Sequence, residues 1–202
     1  MAEPDALYML RNHFWVGDFN RAIKVGKKLR KLNEQNRIER DEFVFRSQVG
    51  LGQYEDVLQS IEEDDSTPLS LRVVRLLATY FHDADMKEAV ILTFEEWLEG
   101  EEGSNCPSLR LITFLIYLHE DRMRDGLQLF QTGSTMEEFL KTFFSFLTDF
   151  VLNDRCALLV QTYLKMDRLD LAKNELDVMQ KSDEDHTLSQ LCSAWIFMAE
   201  VN

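Results

Sequence analysis

Proline and glycine are scarce in this chain, at 3 and 8 of 202 residues, and no segment shows the alternation of a strand. The dominant apolar period is 3.6, so the residues point to an all-helical protein. Cysteine is equally sparse. Cys106, Cys156 and Cys192 are odd in number, far apart and in no CxxC arrangement. That excludes a zinc knuckle or a disulfide framework and leaves reduced thiols packed as small apolar residues. The start, Met1-Ala2-Glu3-Pro4-Asp5, lacks the basic and apolar regions of a secretory signal. The longest apolar stretch, Phe139 to Leu152, is broken by Lys141 and Asp149, and it is shorter than the ~20 residues a bilayer span requires. Positive charge is in deficit, with 22 Lys and Arg against 36 Asp and Glu and a net charge of -14. Phosphates and anionic head groups would repel such a chain. The expectation is a soluble protein with no nucleic-acid partner and no membrane contact of its own.

Chemistry-bearing patterns are missing as well. His13, His82, His119 and His186 fall in four different segments, without an HExxH pair. There is no GxGxxG, GxxxxGK[ST] or GxSxG sequence. The acidic runs Glu62-Glu63-Asp64-Asp65, Glu95-Glu96 with Glu99-Glu101-Glu102, and Asp183-Glu184-Asp185 lack the spacing of a calcium loop and read as solvated charge at helix ends. No catalytic residue, metal ligand or cofactor site is expected, and the chain is not read as an enzyme.

What the chain does have is a repeat. A turn followed by a large residue, and a small residue three positions on, occurs at Phe19/Ala22, Tyr54/Val57, Met86/Ala89, Met123/Gly126 and Leu169/Ala172. The large residues are 35, 32, 37 and 46 positions apart, near the period of ~34 for helix-turn-helix repeats of the tetratricopeptide type. The fold expected is an all-α, tetratricopeptide-like solenoid with a right-handed superhelix, one array over residues 1–202. Its repeats are expected at about 5–32, 37–61, 68–98, 107–130 and 154–180, with a half repeat at 186–200. Thr67-Pro68 reads as an N-cap and first helical residue, and Asp185 as the cap of the final helix. Within 136–153 lie Phe139, Phe143, Phe144, Phe146 and Phe150, expected to form an inserted helix with a wide apolar face.

Solenoids of this kind usually hold other proteins. Counting back eight and twelve residues from each large residue gives the positions that line the groove in such arrays. These are Arg11, Arg46, Ala78, Leu115 and Gln161, and Leu7, Glu42, Val74, Leu111 and Ala157. The middle of this set is apolar and would offer a greasy strip to an extended partner segment. A second feature is the basic run Arg21, Lys24, Lys27, Lys28, Arg30 and Lys31, opposite the stripe Ala22, Val25, Gly26 and Leu29. It reads as a solvated helix face; the alternative is an electrostatic dock for an acidic surface.

Four segments carry a resemblance. They are Arg11-Asn12-His13-Phe14-Trp15-Val16-Gly17, Glu39-Arg40-Asp41 with Val44-Phe45-Arg46-Ser47, Leu164 to Ala172, and Asp183 to Leu191 followed by Ala194-Trp195. In these the chain closely resembles the epsilon subunit of the coatomer, the coat of Golgi-derived vesicles. The Phe-rich stretch has no counterpart in that pattern, and the family continues through roughly two further helical repeats, so this chain looks truncated or alternatively spliced. The resemblance implies a non-enzymatic scaffold that embraces the C-terminal domain of the coatomer alpha subunit and meets other coatomer subunits through it. It further implies Golgi-to-ER and intra-Golgi transport, a cytoplasmic location, and membrane association only through the coat. The other reading is a different tetratricopeptide-type adaptor, such as a chaperone-associated peptide-binding module. Its clamp would need polar residues at each repeat, and after Arg11 and Arg46 come Ala78 and Leu115.

Overall fold

A computed structural model describes residues 5–64, 66–100, 103, 106–131 and 150–201. Among the described residues the regular structure is helical: α1 (Tyr8–Trp15), α2 (Phe19–Lys28), α3 (Glu34–Gly50), α4 (Tyr54–Ser60), α5 (Leu69–His82), a 3₁₀ turn at Ala84–Met86, α6 (Lys87–Glu99), α7 (Pro107–His119), α8 (Met123–Gln131), α9 (Phe150–Lys165), α10 (Leu169–Ser182) and α11 (Thr187–Val201). The chain divides into two compact units, residues 1–112 and 113–202, with the division inside α7. In the first unit α1 packs on α2 and α3, α3 packs on α4 and α5, and α5 packs on α6. In the second, α9, α10 and α11 pack on one another. This is the contact pattern of helical-hairpin repeats.

The hairpin turns share one chemistry. Gly17, Gly52, Asp121 and Asp167 all have φ between 55° and 78°. After each, an amide reaches back five residues: Asp18 to the His13 carbonyl, Gln53 to Gln48, Arg122 to Tyr117 and Arg168 to Tyr163, at 2.8–2.9 Å. These are Schellman closures, which satisfy the last carbonyls of the first helix and reverse the chain. The fourth residue of each following helix is then buried at the crossing: Ala22, Val57, Gly126 and Ala172. Gly126 lies so close to α7 that an added Cβ would come within 3.1 Å of the Phe114 ring.

The third hairpin departs from this rule and corrects the sequence reading. Asp83 has an ordinary φ of -124° and accepts from the Asp85 amide, which nucleates the 3₁₀ turn at Ala84–Met86. The α-helix starts only at Lys87, so the pattern slips by one residue. Met86 is 43% exposed, Ala89 is exposed, and Val90 takes the buried position. The large residue is replaced by Lys87, whose ammonium lies 5.0 Å from the Tyr80 ring centroid. Phe19, Tyr54, Met123 and Leu169 are half-buried rather than enclosed.

Two caps differ from expectation. The Thr67 hydroxyl donates to the Glu62 carbonyl instead of capping α5. At α11 the Leu188 amide donates to His186 Nδ1, 3.2 Å away, while the Asp185 amide is taken up by Asp183. α9 begins at Phe150, one turn before the expected Asp154. The rest of the inserted helix expected over 136–153 lies outside the described residues.

Candidate protein-binding site

Arg11 and Arg46 are the first polar groups of the candidate site in the first unit. Arg11 Nε donates to Glu39 Oε1 at 2.7 Å, and its Nη1 reaches Asp5 at 2.6 Å, so α1 is tied to α3 and to the segment before it. Burial lifts the Glu39 carboxyl above its ordinary range, against the pull of Arg11 in the other direction. Arg46 is buried beside Glu42, one helical turn back on α3, with 3.5 Å between Nη1 and Oε1. Its guanidinium lies 4.7 Å from the Phe14 ring centroid and 5.5 Å from that of Phe43, and those two rings meet edge-on at 5.0 Å. Aromatic rings and a carboxylate together offset the desolvation of a buried guanidinium. Glu42 also accepts from the Ser108 hydroxyl at 2.9 Å, which anchors α7 to α3. Charge and apolar surface are therefore interleaved between α1 and α3.

The ten residues expected to line a groove take different places. Leu7, Val74 and Ala78 have no accessible surface, and Leu111 and Ala157 are buried. They are core in the free chain. The greasy strip is thus closed at Val74 and Ala78. Glu42 and Arg46 are brought together and buried; Arg11 and Leu115 are half-buried and Gln161 is exposed.

Sequence reasoning missed a pair of arginines that repeat with the fold. Arg40 on α3 donates to the Leu29 carbonyl at the end of α2, at 2.8 Å. Arg75 on α5 does the same at the end of α4, to the carbonyls of Leu58 and of Ile61, the latter at 2.9 Å. Each fills orphan carbonyls at a helix C-terminus with a cation, where the dipole favours one. Arg40 and Arg75 are separated by the same interval as Phe19 and Tyr54, and that match was the available signal.

All six residues of the basic run are exposed. Arg21 pairs with Asp18 at 3.3 Å. The thiols offer no reactive centre: burial pushes Cys156 and Cys192 up to about 12 and Cys106 up to about 11. Among the described residues no group of His, Cys, Asp or Glu could hold a metal ion, and no helix is long and apolar enough to cross a membrane.

The fold and this arrangement define a helical-repeat protein whose polar groups tie helices together. Its relatives narrow the class. The family described as "Coatomer epsilon subunit" matches residues 3–201. The chain is 38% identical over 198 residues to coatomer subunit epsilon-2 of Arabidopsis thaliana, covering 98% of this chain and 61% of that protein. It is 38% identical over 199 residues to coatomer subunit epsilon-1 of the same plant, with 98% of this chain and 61% of the relative covered. Against coatomer subunit epsilon of Dictyostelium discoideum it is 28% identical over 198 residues, covering 95% of this chain and 60% of that one. The chain belongs to the coatomer epsilon subunit family. It spans about three fifths of the length of the curated relatives it matches.

Proposed function

We propose that this chain is a non-enzymatic scaffold subunit of the coatomer coat. It holds the C-terminal domain of the coatomer alpha subunit, meets the other coat subunits through it, and serves Golgi-to-ER and intra-Golgi transport. It works in the cytoplasm, peripheral on Golgi membranes and vesicles, with its membrane association passing through the coat. The observation that carries this reading is the family match over residues 3–201.

The proposed contacts lie on the odd-numbered helices. In the first unit these are Leu7, Arg11, Glu42, Arg46, Val74, Ala78 and Leu111, and in the second Leu115, Ala157 and Gln161. Arg11, Leu115 and Gln161 have accessible surface in the free chain and make the direct contacts. The buried Glu42–Arg46 pair and the apolar positions beneath fix the helix spacing that presents them.

Co-expression with a tagged C-terminal domain of the alpha subunit tests the proposal. The expected result is co-elution of the two chains in equimolar amounts through affinity and size-exclusion steps. A folded chain that elutes without the domain overturns it.

A further inference from the structure

We propose that the outer face of α2 is a docking surface for an acidic, extended segment of a partner protein, rich in Asp and Glu and needing no apolar anchor. This surface is separate from the odd-helix face assigned to the alpha subunit above.

The helix is two-sided. Ala22 and Gly26 are buried, and Gly26 sits so close to α3 that an added Cβ would come within 2.3 Å of Val44 Cγ2. The opposite side presents Arg21, Lys24, Lys27 and Lys28, continued past the helix end by Arg30 and Lys31. From Phe19 to Lys31 there is no acidic residue. Arg21 is engaged by Asp18, but the other five make no ion pair or hydrogen bond among the described residues. Lys24 lies one turn from both Lys27 and Lys28, so these like charges repel along the face. An arriving carboxylate relieves that repulsion. In a chain of net charge -14, no other described helix carries such an unneutralised cationic face.

Shape and charge together select the partner. From Arg21 to Lys28 the helical face is ~10 Å long, which an extended segment of about three residues spans at ~3.3 Å each, and Arg30 and Lys31 continue it beyond the helix end. Such a segment touches the cations alone. An anionic bilayer is a plane, and the chain's net charge of -14 is repelled by it at long range. The face also lacks an exposed aromatic or large aliphatic side chain, which membrane-surface helices use to enter the interface. Nucleic acid meets the same long-range repulsion. A narrow acidic strand gains steering and contact without these penalties.

The test uses the full chain and a fluorescein-labelled peptide of about twelve residues alternating Glu and Asp with Ser, compared with its Gln/Asn counterpart. Anisotropy at low salt should show binding of the acidic peptide and not the neutral one. Raising salt to about 300 mM should weaken binding by roughly tenfold. Lys27→Glu with Lys28→Glu should weaken it at least about tenfold, while Arg124→Glu with Lys181→Glu, the same change of net charge on α8 and α10, should cost less than about threefold. Circular dichroism checks that both variants remain folded. Absence of binding at low salt overturns the proposal, as do equal losses in the two variants. Flotation of the chain with phosphatidylserine vesicles, without peptide binding, overturns it in favour of a membrane surface.

Discussion

The hydroxyl of Ser108, at the start of α7, donates a 2.9 Å hydrogen bond to Glu42 on α3, 66 residues earlier in the chain. Glu42 also faces Arg46, whose buried guanidinium lies against the Phe14 and Phe43 rings. One carboxylate thus couples a long-range helix anchor to a buried cation.

Removing that carboxylate should cost more than removing the hydroxyl. Ser108→Ala deletes one bond to a charged acceptor, about 1.5–3 kcal/mol. Glu42→Ala leaves Arg46 buried without its carboxylate, about 3–5 kcal/mol. Urea unfolding of the two variants should rank them in that order; equal midpoints would show that the pair carries no net weight.

The four Schellman turns make an opposed pair of substitutions informative. Gly17 and Gly52 have positive φ and open space where a Cβ would go, so Gly→Ala there reports backbone strain alone, about 1–2 kcal/mol of destabilisation. Asp167 holds the same conformation with a side chain, at φ 57°. Asp167→Gly should therefore be neutral or raise stability by up to about 1 kcal/mol. A loss of stability from Asp167→Gly, in thermal melts, would mean that its side chain matters more than its backbone.

The third hairpin predicts a reversal of the repeat pattern. Val90→Ala should cost about 1–3 kcal/mol because it empties a buried crossing, whereas Met86→Ala, on an exposed residue, should stay within about 0.5 kcal/mol. Denaturant midpoints measure both. If Met86 proves the costlier position, the shifted register is wrong.

That hairpin also shows where sequence reading succeeds and fails. Turn residues located the first two hairpin turns, because Gly17 and Gly52 stand where positive φ is required. The same template placed Met86 and Ala89 one residue early. Asp85-Met86-Lys87-Glu88-Ala89 imitates the pattern in composition, and only the Asp83 cap, which forms the 3₁₀ turn, moves the helix start. Cap partners were legible only in part, since Thr67 and Asp183 bond to groups decided by loop shape. The groove positions were legible as a register but not as a surface. Whether Val74 or Leu115 reaches solvent depends on how closely neighbouring helices approach, and no single-chain periodicity encodes that distance.

Glu39 gives a pH dependence of known sign. Its folded pKa is raised above the ordinary value of 4.5, chiefly by burial. The folded state therefore holds this proton more tightly than the unfolded chain. The associated stability is fully present below pH 4.5 and is lost as pH rises through the folded value. Glu39→Gln should flatten the stability profile in the window just above pH 4.5. An unchanged profile in urea melts across that window would assign the slope to other groups.

Binding of the coatomer alpha subunit through the odd-numbered helices is the proposal on which the functional reading rests. Isothermal titration of the chain with the C-terminal domain of the alpha subunit tests it most directly, comparing the unmodified chain, Leu115→Asp, and the α2 pair Lys27→Glu with Lys28→Glu. Binding should be one to one. Leu115→Asp should weaken it by at least about tenfold, because it places an unpaired charge in a contact that excludes water. The α2 pair should change it by less than about threefold, as expected for cations remote from the contact. An absence of binding by the folded chain, or equal losses from both variants, would contradict the account.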